Sequence, residues 1–172
     1  QTWPQKLISG DDFYMQPAWH PDGKQIAWLA WNHPDMPWDA TKLWIGKLNF
    51  NSAGSPSIEY MESIAGGENI SVFQPEFSPD GKYFLVGGVI RDLSTGLELE
   101  PRIDLKGYNG TVFSQDGRYL LTVGVGEGGI WDTSTWKEVR AFTWSTPLCV
   151  AFSPDNKYVL TGNRDGGVTI WD

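Results

Sequence analysis

Four stretches of this chain align residue for residue: WHPDGKQIAW at 19–28, FSPDGKYFLV at 77–86, FSQDGRYLLT at 113–122 and FSPDNKYVLT at 152–161. Each runs from an aromatic ring through Asp22, Asp80, Asp116 or Asp155 to Lys or Arg, and then into an apolar run. The pattern predicts a strand, a tight turn and a second strand: Pro sets φ ahead of the Asp, and Gly or Asn takes the left-handed position that closes the turn. A second marker follows each turn, reading LWIG at 43–46, IRDLSTG at 90–96, IWDTSTW at 130–136 and TIWD at 169–172. Asp92, Asp132 and Asp172 stand 40 residues apart. One such repeat cannot bury its apolar faces alone, so the chain must stack repeat on repeat. Helical periodicity is weak throughout.

A pitch near 40 with short strands and Gly-rich turns predicts the all-β blades of a propeller, each with four antiparallel strands, a to d from the axis outward. Blade 1 (residues 11–65) reads a at Tyr14–Trp19, b at Gln25–Trp31, c at Lys42–Leu48 and d at Ile58–Ile64. Blade 2 (66–105) reads Val72–Phe77, Tyr83–Val86, Val89–Asp92 and Leu97–Ile103, with Gly87-Gly88 as a two-residue hairpin turn. Blade 3 (106–143) reads Thr111–Phe113, Tyr119–Val123, Gly129–Asp132 and Lys137–Phe142. Blade 4 (144–172) reads Leu148–Phe152, Tyr158–Thr161 and Val168–Asp172. It lacks an outer strand, and a bare sheet edge invites aggregation. The expected remedy is residues 1–10: a strand over Gln5–Ser9 places Leu7 and Ile8 beside Thr169 and Ile170 and closes one propeller unit over residues 1–172.

Composition narrows the function classes. Lys and Arg number 13 against 21 Asp and Glu, a net charge of −8, which repels phosphate backbones and speaks against nucleic acid as a partner. The single Cys149 cannot form an intrachain disulfide. No apolar run is long enough for a membrane span, and no basic-then-apolar leader opens the chain. The expectation is a soluble protein of cytoplasmic-type composition, its compartment unknown and no membrane among its partners.

Two family resemblances follow from particular strings. FSQDGRYLLTVG (113–124), GIWDTSTWKEV (129–139) and VAFSPDNKYVLTGNRDGGVTIWD (150–172), with IRDLSTG (90–96) more loosely, resemble WD-repeat blades. The Gly-His pair expected before strand a is absent, with Gly107-Tyr108 and Trp144-Ser145 in its place, so the buried His–Ser–Asp–Trp network of that family is incomplete. QPAWHPDGKQIAWLAWNHPDMPWDATKLWIGKL (16–48) and ISVFQPEFSPDGKYF (70–84) instead resemble the propeller of prolyl-oligopeptidase-family peptidases, the acylaminoacyl-peptidase-like branch. There the resemblance implies a non-catalytic gate whose chemistry lies in a separate domain. No Gly-x-Ser-x-Gly elbow is present, and His20 and His33 are the only histidines. The two resemblances meet near FSPDGKY (77–83), which points to an engineered or recombined hybrid. Both families usually build rings of seven or eight blades, so the resemblance implies half of an eight-bladed homodimer, with a four-bladed monomer as the alternative. No enzyme activity, cofactor or metal is expected, and the natural partner is left open.

One loop is rich enough to be a ligand site. In Asn32–Thr41, Trp31, His33, Trp38 and Asp39 offer aromatic faces, a titratable ring and a carboxylate, suited to a small ligand or a carbohydrate. Packing of Trp38 against a neighbouring blade explains the same residue without a ligand. Asp22, Asp80, Asp116 and Asp155 sit in equivalent turns and are read as turn-bonding groups, as is His20 in the place of Ser78, Ser114 and Ser153. Asp11, Asp12 and Glu68 read as a solvated acidic rim, Gly124–Gly129 as a hairpin turn, and Cys149 as a small core residue.

Overall fold

The computed structural model describes residues 4–99, 108–124, 126–143 and 147–172. Fourteen strands and no helix occur among them. The first sheet is a meander of β1 (Phe13–Trp19), β2 (Gln25–Trp31), β3 (Lys42–Phe50) and β4 (Pro56–Gly66), in the order β1-β2-β3-β4. β5 (Glu76–Phe77), β6 (Tyr83–Val86) and β7 (Val89–Asp92) make a three-stranded sheet in chain order. β8 (Tyr108–Phe113), β9 (Tyr119–Gly124), β10 (Glu127–Asp132) and β11 (Lys137–Thr143) make the second four-stranded sheet. β12 (Pro147–Phe152), β13 (Val159–Asn163) and β14 (Val168–Trp171) make the last. These are the blades expected from the repeat, each an antiparallel meander.

Two of the four blades differ from a full set of four strands. The outer strand expected at Leu97–Ile103 runs into residues 100–107, outside the described residues; what is described is a bridge between Arg91 and Glu98. Residues Gly107, Trp144 and Ser145, which the sequence places ahead of strands a, also lie outside them. Residues 4–9, which hold the segment Gln5–Ser9 expected to close the ring, carry no strand within the chain, and β14 has β13 as its neighbour among the described strands. Leu7 and Ile8 instead pack against Ile26, Trp28, Ala30 and Leu48 of the first sheet. Apolar burial holds the segment there without the backbone ladder.

The turns explain why the repeat is so regular. Gly23, Gly81, Gly117 and Asn156 all have positive φ, between 57° and 72°, so each takes the left-handed position its sequence slot predicted. Ahead of it, the Asp side chain accepts from the backbone N–H two residues on: Lys24 at 2.7 Å, Lys82 at 3.1 Å, Arg118 at 3.0 Å and Lys157 at 3.3 Å. Ser78, Ser114 and Ser153 donate their hydroxyls to these carboxylates at 2.6–2.7 Å, and His20 Nδ1 lies 2.7 Å from Asp22 in the same role. Gly87 and Gly88 both have positive φ, the geometry of a two-residue hairpin.

The chain divides into two compact units: residues 1–77 with 83–87, and 78–82 with 88–172. In the first, Ile26, Trp28, Ala30 and Leu48 form a buried cluster with Leu7, Ile8, Trp44 and Ile58 packed on it. Thr41 ties β3 to residue 72, donating to the Val72 carbonyl at 3.0 Å and accepting from its N–H at 2.8 Å. In the second unit the last two sheets share one core. Val112, Leu121, Val123 and Ile130 from one face of the third blade, with Phe142 of its outer strand, meet Val150, Phe152, Val159 and Trp171 of the fourth. We call these the trailing and leading faces of a blade.

The blades solve the same packing problem in two ways. Equivalent bonds, Leu48 N–H to Lys24 O, Leu93 N–H to Lys82 O and Thr133 N–H to Arg118 O, fix the correspondence between strands c. They place Gly46 and Arg91 where blade 3 has Trp131, so the LWIG marker is two residues out of step with IWDT. In blades 3 and 4 a Thr on strand b accepts from the strand c indole: Trp131 Nε1 to Thr122 and Trp171 Nε1 to Thr161, both at 3.1 Å. In blade 1 the large ring is on strand b, where Trp28 lies over Gly46.

Candidate functional site

The loop after β2 is held by the residues just before β1. Asp12 accepts from the His33 N–H at 3.0 Å and donates its own N–H to Asn32 Oδ1 at 2.7 Å. The Asn32 amide donates to Asp11 at 2.8 Å. Asp11 and Asp12, expected to be only a solvated rim, therefore position the loop. Phe13, opposite Trp31 in the β1–β2 register, stacks on it at 5.0 Å and 17°, and takes the His33 ring edge-on at 5.0 Å. Phe13 was not picked out from the sequence, although an antiparallel pairing of strands a and b across the turn at Asp22 brings it to Trp31.

The four candidate residues divide into two pairs. Trp31 and His33 meet through Phe13. Trp38 and Asp39 belong to a separate turn, where Asp39 N–H bonds the Met36 carbonyl at 2.8 Å and the Asp39 carboxylate accepts from the Met36 N–H at 3.2 Å. Trp38 is 65% exposed, so it is not spent on packing against a neighbour. A cleft of about 190 Å³ opens beside Trp31, walled by Asn32, Thr41 and Lys42 and by the carboxylates of Asp11, Asp35 and Glu68. His33, Trp38 and Asp39 do not line it. Its aromatic wall and acidic rim suit a cationic or polyhydroxylic ligand.

The other carboxylates are committed to turns. The Asp22 carboxyl is held below the usual range, first by the Lys24 N–H and then by His20. Burial pushes Asp80 up, but the Ser78 hydroxyl and Lys82 outweigh it and the net direction is down. Asp116 and Asp155 are lowered chiefly by the hydroxyls of Ser114 and Ser153. Asp92 and Asp132 are lowered by Ser94 and Ser134, whose hydroxyls donate to them at 2.5 Å. These are stable carboxylates, fitted to bonding turns rather than to taking up protons near neutral pH. Among the described residues no group of three or more His, Cys, Asp or Glu is arranged to hold a metal ion. No helix among them is long and apolar enough to cross a membrane. Cys149 is exposed, which corrects its expected place in the core: it lies on the uncovered face of the last blade.

The fold is that of β-propeller blades, and comparison with known proteins agrees with that fold. The WD domain, G-beta repeat model matches residues 136–172. No curated protein sequence matches the chain. Among solved structures, a puromycin hydrolase aligns with TM-score 0.64 and 20% identity over 93% of this chain and 27% of its own. A puromycin-hydrolyzing peptidase of Mycobacterium tuberculosis aligns with TM-score 0.67 and 21% identity, over 96% of this chain and 28% of its own. Hydrazine synthase of Kuenenia stuttgartiensis gives TM-score 0.58 and 16% identity, over 90% and 57%. The chain thus spans about a quarter of the two hydrolase structures.

Proposed function

We propose that the chain is a non-catalytic propeller module whose function is to bind protein, beginning with a second copy of itself. The observation that carries this is the commitment of the repeat's chemistry to its own turns: the Asp and Ser side chains and His20 that could act on a substrate are bonded within strand connections. Likeness to peptidase structures over a quarter of their length supports the same reading, a blade segment apart from hydrolytic machinery. Two chains then form an eight-bladed ring. Light scattering tests the assembly: a mass of 38.4 kDa, twice the 19.2 kDa of one chain, is expected. Incubation with ester, peptide and glycoside substrates tests the rest, and turnover above a denatured control would show the module to be an enzyme.

The two packing solutions, Trp28 over Gly46 in blade 1 and Trp131 or Trp171 on a Thr in blades 3 and 4, support a composite origin from two propeller families. A second reading, a binder of small ligands or carbohydrates at blade 1, is favoured by the exposed Trp38 and the cleft at Trp31. Titration of sugars and cationic peptides against tryptophan fluorescence tests it. A signal that survives both Trp38→Ala and Trp31→Ala would remove the site from this loop.

A further inference from the structure

The cleft beside Trp31 lies wholly within the first compact unit, and its polar groups select among the ligands that an aromatic wall could take. Several donors in its wall are already committed. The Asn32 amide donates to Asp11 at 2.8 Å, the Thr41 hydroxyl to the Val72 carbonyl at 3.0 Å and the Gly67 N–H to the Thr41 carbonyl at 2.9 Å. What remains is chiefly acceptors: the second carboxylate oxygen of Asp11 and the carboxylates of Asp35 and Glu68, both exposed. Lys42 is the single cation among the described residues of the wall. The aromatic surface is fixed as well, because Trp31 stacks on Phe13 at 5.0 Å and 17°. With a volume of about 190 Å³ the cleft is smaller than pockets that enclose a whole drug-sized ligand, roughly 300–1,000 Å³, so it takes one group and leaves the rest outside.

We propose that this cleft binds the guanidinium group of an arginine side chain carried by a peptide. The claim rests on the blade 1 ligand reading above and names the ligand class of that site. A sugar hydroxyl both donates and accepts, so it calls on donors that this wall has largely spent. A guanidinium only donates, and its planar fork meets a carboxylate through two parallel bonds. It is also flat and more weakly hydrated than an ammonium, so it stacks on an indole where a lysine keeps its water. The chain's net charge of −8 draws such a cation toward it. A free arginine derivative that keeps its own carboxylate is repelled by Asp11, Asp35 and Glu68, whereas an arginine within a peptide is not.

Isothermal titration calorimetry of the whole chain tests this with acetyl-Gly-Gly-Arg-Gly-Gly-amide, the same peptide with lysine or citrulline in place of arginine, N-acetylarginine and maltotriose. The arginine peptide is expected to bind about tenfold tighter than the citrulline peptide, which keeps the shape and loses the charge. It is expected to bind about threefold tighter than the lysine peptide or N-acetylarginine. Asp35→Asn combined with Glu68→Gln should weaken it about tenfold and leave thermal unfolding unchanged, because both side chains are exposed. Glu59→Gln combined with Glu62→Gln removes the same charge from β4, away from the cleft, and should leave binding unchanged. Equal weakening by the two double variants would reduce the effect to net charge and overturn the inference. A lysine peptide or N-acetylarginine that binds as tightly as the arginine peptide would overturn the assignment to a peptide-borne guanidinium. Maltotriose or citrulline-peptide binding that the cleft variant abolishes would leave the blade 1 ligand site standing and overturn the arginine assignment. An absence of binding by all of these ligands would overturn the blade 1 reading and this inference together.

Discussion

At the scale of single residues, one hydrogen bond separates the blades. Where strand b supplies Thr122 or Thr161, the strand c indole is satisfied. Where it supplies Val86, the Nε of Arg91 is buried without a hydrogen bond. Trp28 and Trp44 leave their indole nitrogens in the same state in blade 1. A buried donor without an acceptor costs about 1–3 kcal/mol. Arg91→Trp alone should therefore leave the donor unmet, and Arg91→Trp with Val86→Thr should recreate the blade 3 pair. A double-mutant cycle by urea unfolding should show favourable coupling of about 1 kcal/mol; additive effects would refute the correspondence. The turn carboxylates set the acid limit. Because folding lowers the pKa of Asp22, Asp80, Asp92, Asp116, Asp132 and Asp155, their stabilisation is present above the unfolded Asp value of about 3.9 and is lost as pH falls through the folded values. The urea midpoint should hold steady from pH 7 to 5 and drop below about pH 4, with a shallower drop in Ser114→Ala, where the Asp116 carboxylate loses its hydroxyl donor.

Among the elements, β3 shows how pairing overrides pattern. Aligning LWIG with IWDT matches letters, but the ladder sets Ile26 opposite Gly46 and Trp28 opposite Trp44. Gly46 is needed there because a Cβ would stand 2.9–3.0 Å from the Trp28 ring and Ile58. Gly46→Ala, which ordinarily favours a strand, should destabilise the protein by about 1–3 kcal/mol through overpacking. Urea or thermal unfolding measures it, and a neutral or stabilised variant would contradict the ring-over-glycine contact. Most strand positions were legible because the aromatic–Asp–Gly turn leaves little freedom: β2, β6 and β7 begin and end where the pattern puts them. β5 was not, shrinking from six expected residues to Glu76–Phe77. The stretch before it includes Gln74, with positive φ, whose N–H bonds the Gln16 side chain at 2.7 Å rather than a ladder partner.

For the whole molecule, the N-terminal segment is the longest-range decision. Leu7 and Ile8 are half-buried on the cluster around Trp28, so Leu7→Ala with Ile8→Ala should cost about 1–3 kcal/mol and shift tryptophan emission to the red. Unchanged emission and unchanged stability would mean that the segment is not seated there. The candidate site depended equally on distant contacts. The sequence singled out Trp31, His33, Trp38 and Asp39 by type, but the stack on Phe13 and the clamp by Asp11 and Asp12 come from residues about 20 positions earlier.

The sequence by itself determined the repeat, the turn chemistry and the all-β class, because each depends on interactions spanning only a few residues. Tertiary structure decided which ring lies over which glycine, which donors go unmet, where residues 4–9 rest and that Cys149 faces outward. Those outcomes depend on which surface a neighbouring strand or blade covers, and a side chain's burial is a property of its neighbours as much as of its own chemistry.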